Sequence, residues 1–373
     1  VETLAIPLPD LLPRSAKFVQ AHITGFDLDQ HVVKTDHGDF PYVRLIIALG
    51  SQSATYNIPG LNEHTLMLKS VQDARHIRGH FEIVLSGLKN RSSSMPYSIV
   101  IGGAGITGVE LAAELSEGLA ALLREYELGR DAVKVILIEA SATVLPGFDH
   151  KTIDEAAQSL ACLGVEVRTG TIVERVEANR VIVKPIGFAV LEEIETETLI
   201  WTGGIRANSL IAHSGLKIGE RGAAIVDEYL HAIDQHEVYV LGDSAVVRDP
   251  RDGHIATPCG QLAVKQGQYA AKDILADVKG DIHRPYIPYM DGLLISLGSY
   301  AGVGTIGPVW VRRLIARLAK IGAETRYLYN VGGVRLVSSR WLGLRHEWVA
   351  LNRGLRNLLG HRRSLRANHT AVK

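Results

Sequence analysis

Three glycines and one acid form the first group of residues whose spacing implies chemistry. In "SIVIGGAGITGVELAAELSE", Ser98 to Glu117, the residues Gly103, Gly105 and Gly108 make a Gly-x-Gly-x-x-Gly pattern between an apolar run and a helix-forming one. Gly103 permits a tight turn, Gly105 lets the backbone approach a pyrophosphate, and Gly108 allows close packing of helix on strand. The helix that follows presents free N–H groups and a partial positive charge to the phosphates. Glu139 closes the next apolar run, "KVILIE", where a carboxylate accepts hydrogen bonds from an adenosine ribose and repels a 2′-phosphate. No Arg or Lys follows it before Lys151, so the pattern predicts NADH rather than NADPH. The spacing is long: such an acid usually lies about 20 residues past the glycines. Here Gly108 to Glu139 is 31 residues.

A second group is "VYVLGDSA", where Gly242 and Asp243 end an apolar run. A carboxylate at that point can bind the ribitol of a flavin, although Gly-Asp is also an ordinary turn. A third group is cationic. From Trp310 onward there are 14 Lys and Arg against only Glu324 and Glu347, leaving 26 basic against 38 acidic residues before it. In "VWVRRLIARLAKIG", Val311, Leu314, Ile315, Leu318 and Ala319 fall at helical spacing, with Arg312, Arg313, Arg317 and Lys320 on other faces. The spacing continues through Val337, Trp341, Leu344, Trp348, Leu351, Leu355 and Leu358, with Arg340, Arg345, Arg353 and Arg356 interspersed. Trp on an apolar face beside Arg suits a headgroup boundary, and about 1 kcal/mol per cation near an anionic leaflet suffices for peripheral binding. The alternative is an amphipathic helix packed on its own domain. Nucleic acid is not expected, since it leaves the Leu and Trp face without a purpose.

These groups need elements to hold them. Residues 17 to 50 read as short strands, residues 70 to 87 as a helix, and "NRSSSMPY" as a linker. Then come a strand (Ser98 to Gly102), a long helix (Thr107 to about Tyr126), a strand (Lys134 to Glu139), a helix (Thr152 to Leu163), "VEVRT" and a hairpin around "EANR". Strands alternating with helices imply a parallel, doubly wound sheet. "VYVLGDSA" reads as a strand, followed by a helix from Gln261 to about Val278. No apolar run approaches the roughly 18 residues of a spanning helix, and no secretory signal pattern is present. Cys162 and Cys259 lie far apart, so neither a disulfide framework nor a cysteine metal site is expected, and no metal is assigned.

Taken together, several segments resemble the type II NADH:quinone oxidoreductases, single-subunit flavoproteins with two dinucleotide folds. "IIALGSQSATYNIPG" is similar to their return crossing near the flavin, "GGAGITGVELAAEL" to their nicotinamide turn, and "IWTGGIRAN" to their Trp-Thr-x-Gly element. "VLGDSA" resembles their second flavin segment, and "GQLAVKQGQYAAKDI" their Ala-Gln-x-Ala-x-Gln helix, with Gly260 in place of Ala. The long helix and loop before "VILIEA" also resemble the family, which accounts for the 31-residue gap. The family opens with its own strand–GxGxxG–helix for the flavin ADP; nothing before "VETLAIPLPDLLPRS" matches it, and the expectation is a chain that starts about one βαβ unit late.

The resemblance implies an α/β fold of two Rossmann-like dinucleotide-binding domains, the first incomplete at its N-terminus, with a C-terminal amphipathic helical membrane-anchoring region. The expected division is 1–92 and 204–309 for FAD, 93–203 for NADH, and 310–373 for the anchor. It implies FAD held by Gly50, Gly204, Gly242, Asp243, Gln261 and Leu262, and NADH held by Gly103, Gly105, Gly108 and Glu139. Gln261 would line a quinone head-group pocket, with Gln266 a second candidate. Glu110 would lie where the two substrates meet, and Lys320 near the quinone entrance. On the residues alone, Gln261 also reads as a helix-start residue satisfying backbone, and Glu110 as a solvated first-turn acid. The expected activity is hydride transfer from NADH to FAD and of two electrons to a membrane quinone, without proton pumping, at the cytoplasmic face of the cell membrane. The expected partners are the quinone and an anionic lipid surface, with a homodimer through the tail left open. A soluble FAD-dependent disulfide or ferredoxin-type reductase, and a non-catalytic NADH-binding membrane-associated protein, stand as alternatives.

Overall fold

A computed structural model describes residues 6–8, 11–89 and 95–338. The helices longer than two turns are α1 (Val71–Leu88), α2 (Ile106–Glu125), α3 (His150–Cys162), α4 (Gly260–Lys279) and α5 (313–338). The chain divides into two compact units, each assembled from discontinuous segments: unit 1 comprises 1–16, 55–203 and 292–373, and unit 2 comprises 17–54 and 204–291.

Unit 1 is built on a five-stranded parallel sheet in the order Leu66–Met67, Thr198–Trp201, Tyr97–Gly102, Val133–Ile138, Glu166–Arg168. Every residue of Tyr97–Gly102 is buried, as a central strand covered on both faces requires. Its register matters for function. Gly102 pairs with Trp201 on one side and with Ile138 on the other. The next residue of each strand, Thr202, Gly103 and Glu139, therefore emerges from one edge of the sheet. α2 lies on this sheet through Val109, Ala112 and Ala113, all fully buried at i, i+3 and i+4 spacing. At 20 residues, followed by the 3₁₀ turn Arg130–Ala132, it absorbs the long gap before the acid.

The sequence-based division grouped residues 55–92 with the first segment. In the structure, Ile77, Phe81 and Leu85 of α1 join the core that also contains Tyr97 and Ile99, and residues 55–89 fall in unit 1. The strands Thr171–Glu177, Arg180–Pro185 and Glu192–Glu195 form an antiparallel sheet. A second one, Gly292–Ser296, Gly302–Ile306 and Val309–Arg312, leads into α5.

That last strand corrects the reading of the tail. Val311 and Arg312 belong to a β-strand rather than to a helix, because Trp310 to Arg312 extend a hairpin from Gly302–Ile306. The helical period starts only at 313, so the predicted stripe is not the face that packs. Ala316, Arg317 and Ile321 are buried, while Ile315 is 66% exposed and Leu318 is 40% exposed. No described helix is long and apolar enough to cross a membrane. Trp341, Leu344, Trp348, Leu351, Leu355 and Leu358, with Arg340, Arg345, Arg353 and Arg356, lie outside the described residues.

Unit 2 contains the meander Ile23–Asp27, Val32–Thr35, Gly38–Pro41 and a sheet in which Leu45–Ile47 runs parallel to Gln235–Val240. The latter strand also pairs antiparallel with His231–Ala232. The two-stranded sheets Ser51–Ser53 with Ile205–Ala207, and Ala224–Ile225 with Ala245–Val246, complete it. α4 buries Leu262, Gln266, Ala270 and Asp273, which fall on one face by helical spacing.

Candidate dinucleotide sites

In unit 1 the glycine turn is dictated by space. Gly103 has φ +97°, and a Cβ there would lie 2.5 Å from the Gly203 Cα. A Cβ on Gly108 would lie 1.8 Å from the Gly103 carbonyl oxygen. Gly105 differs: nothing lies within 4 Å of where its Cβ would be, so the backbone is open on that side. Gly105 is also the N-cap of α2, with no side-chain capping bond and no acid in the first turn. The leading N–H groups of a 20-residue helix are thus left for an anion.

Glu139 is nearly buried, and its carboxylate is engaged by its own chain. Oε2 accepts a 2.6 Å bond from the Ala104 N–H and Oε1 a 2.8 Å bond from the Ser141 N–H. The acid therefore fastens the glycine turn to the neighbouring strand, and each oxygen keeps a further lone pair. Thr202, placed by sequence in the Trp-Thr-x-Gly element but given no role there, closes the other side: its hydroxyl donates toward the Gly102 and Gly103 carbonyls at 3.0 and 2.9 Å. Its signal was present in "IWTGG", as the residue after a buried strand. Trp201 explains Gly203, where a Cβ would lie 2.4 Å from the indole.

Glu110 and Lys320, 210 residues apart, are brought together. Glu110 Oε1 accepts a 2.8 Å bond from the Ser296 N–H and forms an ion pair with the Lys320 ammonium. Glu110 is therefore not a merely solvated acid; it joins α2 to the hairpin and to α5. Three other tail cations also have partners within unit 1. Arg312 and Arg313 lie 2.9 and 3.4 Å from the two oxygens of Glu155. Arg317, 8% exposed, reaches the Ser299 carbonyl and the Ser296 hydroxyl, and the Trp310 indole donates to Thr152 Oγ1 at 3.1 Å. Arg317 and Lys320 are thereby taken up in the packing of unit 1, whereas Arg312 and Arg313 stay exposed beside Glu155.

In unit 2 the turn after Gln235–Val240 holds the second group. Gly242 has φ +65°, with its would-be Cβ 3.3 Å from the Ala263 Cβ, and its N–H donates to Gln266 Oε1 at 2.6 Å. Gln266, 3% exposed, is thus committed to holding that turn. Asp243 is half-buried and accepts a 2.5 Å bond from the Ser51 hydroxyl. Gly50 has φ +68° with open space beside it, and its carbonyl accepts from the Ser244 hydroxyl and the Asn208 N–H. The Gly204 carbonyl accepts from the Ala54 N–H at 2.9 Å. α4 begins at Cys259 with no side-chain cap and no acid in its first turn. Leu262, Ala263 and Gln266 of α4 line a small pocket with Gly242, Ala245 and Pro258. Gln261 Oε1 accepts a 2.6 Å bond from the Asp291 N–H. The amide oxygen therefore satisfies backbone.

Residues 12–268 match the family model described as pyridine nucleotide-disulphide oxidoreductase. A type II NADH:quinone oxidoreductase of Staphylococcus haemolyticus (strain JCSC1435) is 28% identical over 341 residues, covering 90% of this chain and 83% of that one. Two solved structures of NDH2 from Plasmodium falciparum share the fold at 16% identity, each covering 88% of this chain and 83% of theirs. The complex with RYL-552 has a TM-score of 0.78 and the complex with NADH one of 0.73. With more than half of its length matched and the glycine turn in its expected place, the chain belongs to the pyridine nucleotide-disulphide oxidoreductase family.

Proposed function

We propose that this chain is a type II NADH:quinone oxidoreductase, oxidising NADH through FAD and passing two electrons to a quinone at a membrane surface. The observation that carries the nicotinamide half is the open N-terminus of α2 above Gly105, the one glycine of the turn with room beside it. Its N–H groups neutralise a pyrophosphate, while Gly103 and Gly108 let strand, turn and helix close without a clash. Glu139, already fixed by the Ala104 N–H, has lone pairs left for a ribose diol. A 2′-phosphate there would meet a carboxylate, which favours NADH.

For FAD, unit 2 offers the Asp243 carboxylate, the left-handed turn at Gly242 and the uncapped start of α4 at Gln261 and Leu262, with Gly50 and Gly204 giving backbone close approach. When bound, FAD accepts a hydride from NADH and releases two electrons to a quinone, chemistry that belongs to the cofactor rather than to a protein nucleophile. Reducing a quinone also consumes a proton beyond the hydride. The Glu110–Lys320 pair is a proton-bearing contact suited to that role, with Lys320 Nζ as donor and Glu110 Oε1 holding it in place.

Lipid attachment is assigned to residues beyond Ser338 together with the outward Ile315 and Leu318 of α5, at the cytoplasmic face where NADH is produced. The test is stopped-flow absorbance of the flavin-loaded protein. NADH should bleach the flavin and a soluble menaquinone or ubiquinone analogue should restore its colour. Bleaching by NADH without restoration by either quinone would sink the quinone half, and no bleaching would sink the whole proposal. Lys320→Met should slow the restoring step about tenfold or more and leave bleaching unchanged, since general acid catalysis contributes about 10²–10⁴ in rate.

A further inference from the structure

Apart from the residues assigned to either dinucleotide, unit 2 gathers imidazoles and carboxylates around one edge strand. One ligand atom from each of Asp227, His231 and His236 lies within 4.8 Å of the other two. The chain forms this cluster by local means. Asp227 opens a turn in which its Oδ1 accepts the Tyr229 and His231 N–H groups, both at 2.9 Å, leaving Oδ2 directed at the His231 ring. His231 sits on the short strand His231–Ala232 and His236 on its hairpin partner Gln235–Val240, their rings 5.9 Å apart and nearly perpendicular.

The distances favour a cation over a shared proton. His231 Nδ1 is 3.4 Å from Asp227 Oδ2, longer than a hydrogen bond of about 2.7–3.2 Å. Two ligands at about 2.0–2.1 Å from a tetrahedral zinc are themselves about 3.3–3.4 Å apart. The other ring nitrogen, Nε2, faces Asp273 Oδ2 at 3.6 Å. Asp273 is almost fully buried and is held by the Tyr239 hydroxyl at 2.9 Å, His283 Nδ1 at 2.9 Å and the Tyr269 hydroxyl at 3.4 Å. Burial and the Asp273 carboxylate push both tyrosine hydroxyls up from their ordinary range, which keeps them protonated as donors. At 3.6 Å this is an ionic contact rather than a hydrogen bond, and a buried carboxylate on the Nε2 side of the ring favours a proton there, leaving the Nδ1 lone pair toward Asp227 for a metal.

We propose that Asp227, His231 and His236 form a binding site for a zinc-class divalent cation, with Asp273 as the positioning residue behind His231. Imidazole with one carboxylate suits zinc rather than calcium or magnesium, and the exposure of His236 leaves the fourth position to water. His231 is 12% exposed and Asp227 24%, so the ion reaches the site from solvent on the His236 side. The site is independent of the quinone reading, because its ligands are none of the residues assigned to either cofactor.

The test uses the full chain, purified without a histidine tag, stripped with EDTA and titrated with Zn²⁺ against a chromophoric chelator. One zinc per chain is expected, with a rise in melting temperature as the ion binds the folded state. His236→Ala, at an exposed position, and Asp227→Asn should each weaken binding at least tenfold and abolish the rise in melting temperature. Asp273→Asn should weaken it about 10–100-fold. His254→Ala, an exposed histidine elsewhere in the unit, should change neither. Absence of stoichiometric zinc, or unchanged affinity in His236→Ala with its metal-free melting temperature intact, would overturn the site.

Discussion

Two helices of unit 1 start in opposite ways. α1 is closed by its own chain: the Ser70 hydroxyl accepts the Asp73 N–H, the Asp73 carboxylate accepts the Ser70 N–H, and the box is complete. α2 starts at a glycine, with no capping side chain. A Ser or Asp cap is worth about 1 kcal/mol over Ala but only a few tenths over Gly, so α2 forgoes a small amount of stability and keeps its N–H groups uncovered. The same chain knows both solutions, and the one it leaves open is the one beside the glycine turn. The α3 helix, capped by Asp149 through Thr152, follows α1 rather than α2.

Four variants break or sharpen that contrast. Gly108→Ala is the most severe, since its Cβ would lie 1.8 Å from a carbonyl that cannot retreat. NADH affinity should fall about 100-fold or more, about 2.7 kcal/mol, read by fluorescence titration, with a lowered melting temperature. Gly105→Asp meets no clash and gives α2 the cap it lacks. The melt should rise by the equivalent of about 0.2–0.5 kcal/mol while NADH binding weakens at least tenfold, and a loss of both would contradict the reading of an anion seat. Glu139→Gln with Ala140→Arg, the latter at an exposed position, should raise the NADPH to NADH rate ratio several-fold. An unchanged ratio would remove Glu139 from the ribose. Ser70→Ala should cost about 1 kcal/mol in chemical denaturation and leave NADH affinity within a factor of two.

The order of strands and helices was legible because buried parallel strands are continuous apolar runs, and the crossover helices between them carry a clear period. The glycine turn was legible for the same reason: Gly103 and Gly108 stand where any side chain would collide with backbone. What the sequence concealed were contacts across long separations. Nothing in "VELAAEL" tells that Glu110 meets Lys320, since the partner arrives 210 residues later on another helix. The tail misled in its first turn because Trp310, Val311 and Arg312 fit a helical stripe as well as they fit an edge strand, and only pairing with Val303 to Thr305 decides. Its cations read as lipid-facing, yet Glu110 and the Ser296–Ser299 corner take up Lys320 and Arg317, while Arg312 and Arg313 pair with Glu155 at the surface. Truncation for membrane tests therefore belongs after Ser338, since a cut at 310 removes packing along with any lipid contact. With that cut, release from anionic vesicles should follow while NADH oxidation with a soluble acceptor persists, measured by flotation and by absorbance.

The strand Leu45–Ile47 pairs with Val238, Tyr239 and Val240. During synthesis at about 5–20 residues per second, the earlier segment leaves the ribosome roughly 10–40 s before its mate exists. For that interval an apolar edge is a waiting template, open to chaperones or to the wrong neighbour. The nascent 55–203 stretch, by contrast, holds nearly all of its own sheet and can begin to condense at once. Chain order thus lets the five-stranded sheet of unit 1 form before the sheet of unit 2 that joins Leu45–Ile47 to Gln235–Val240.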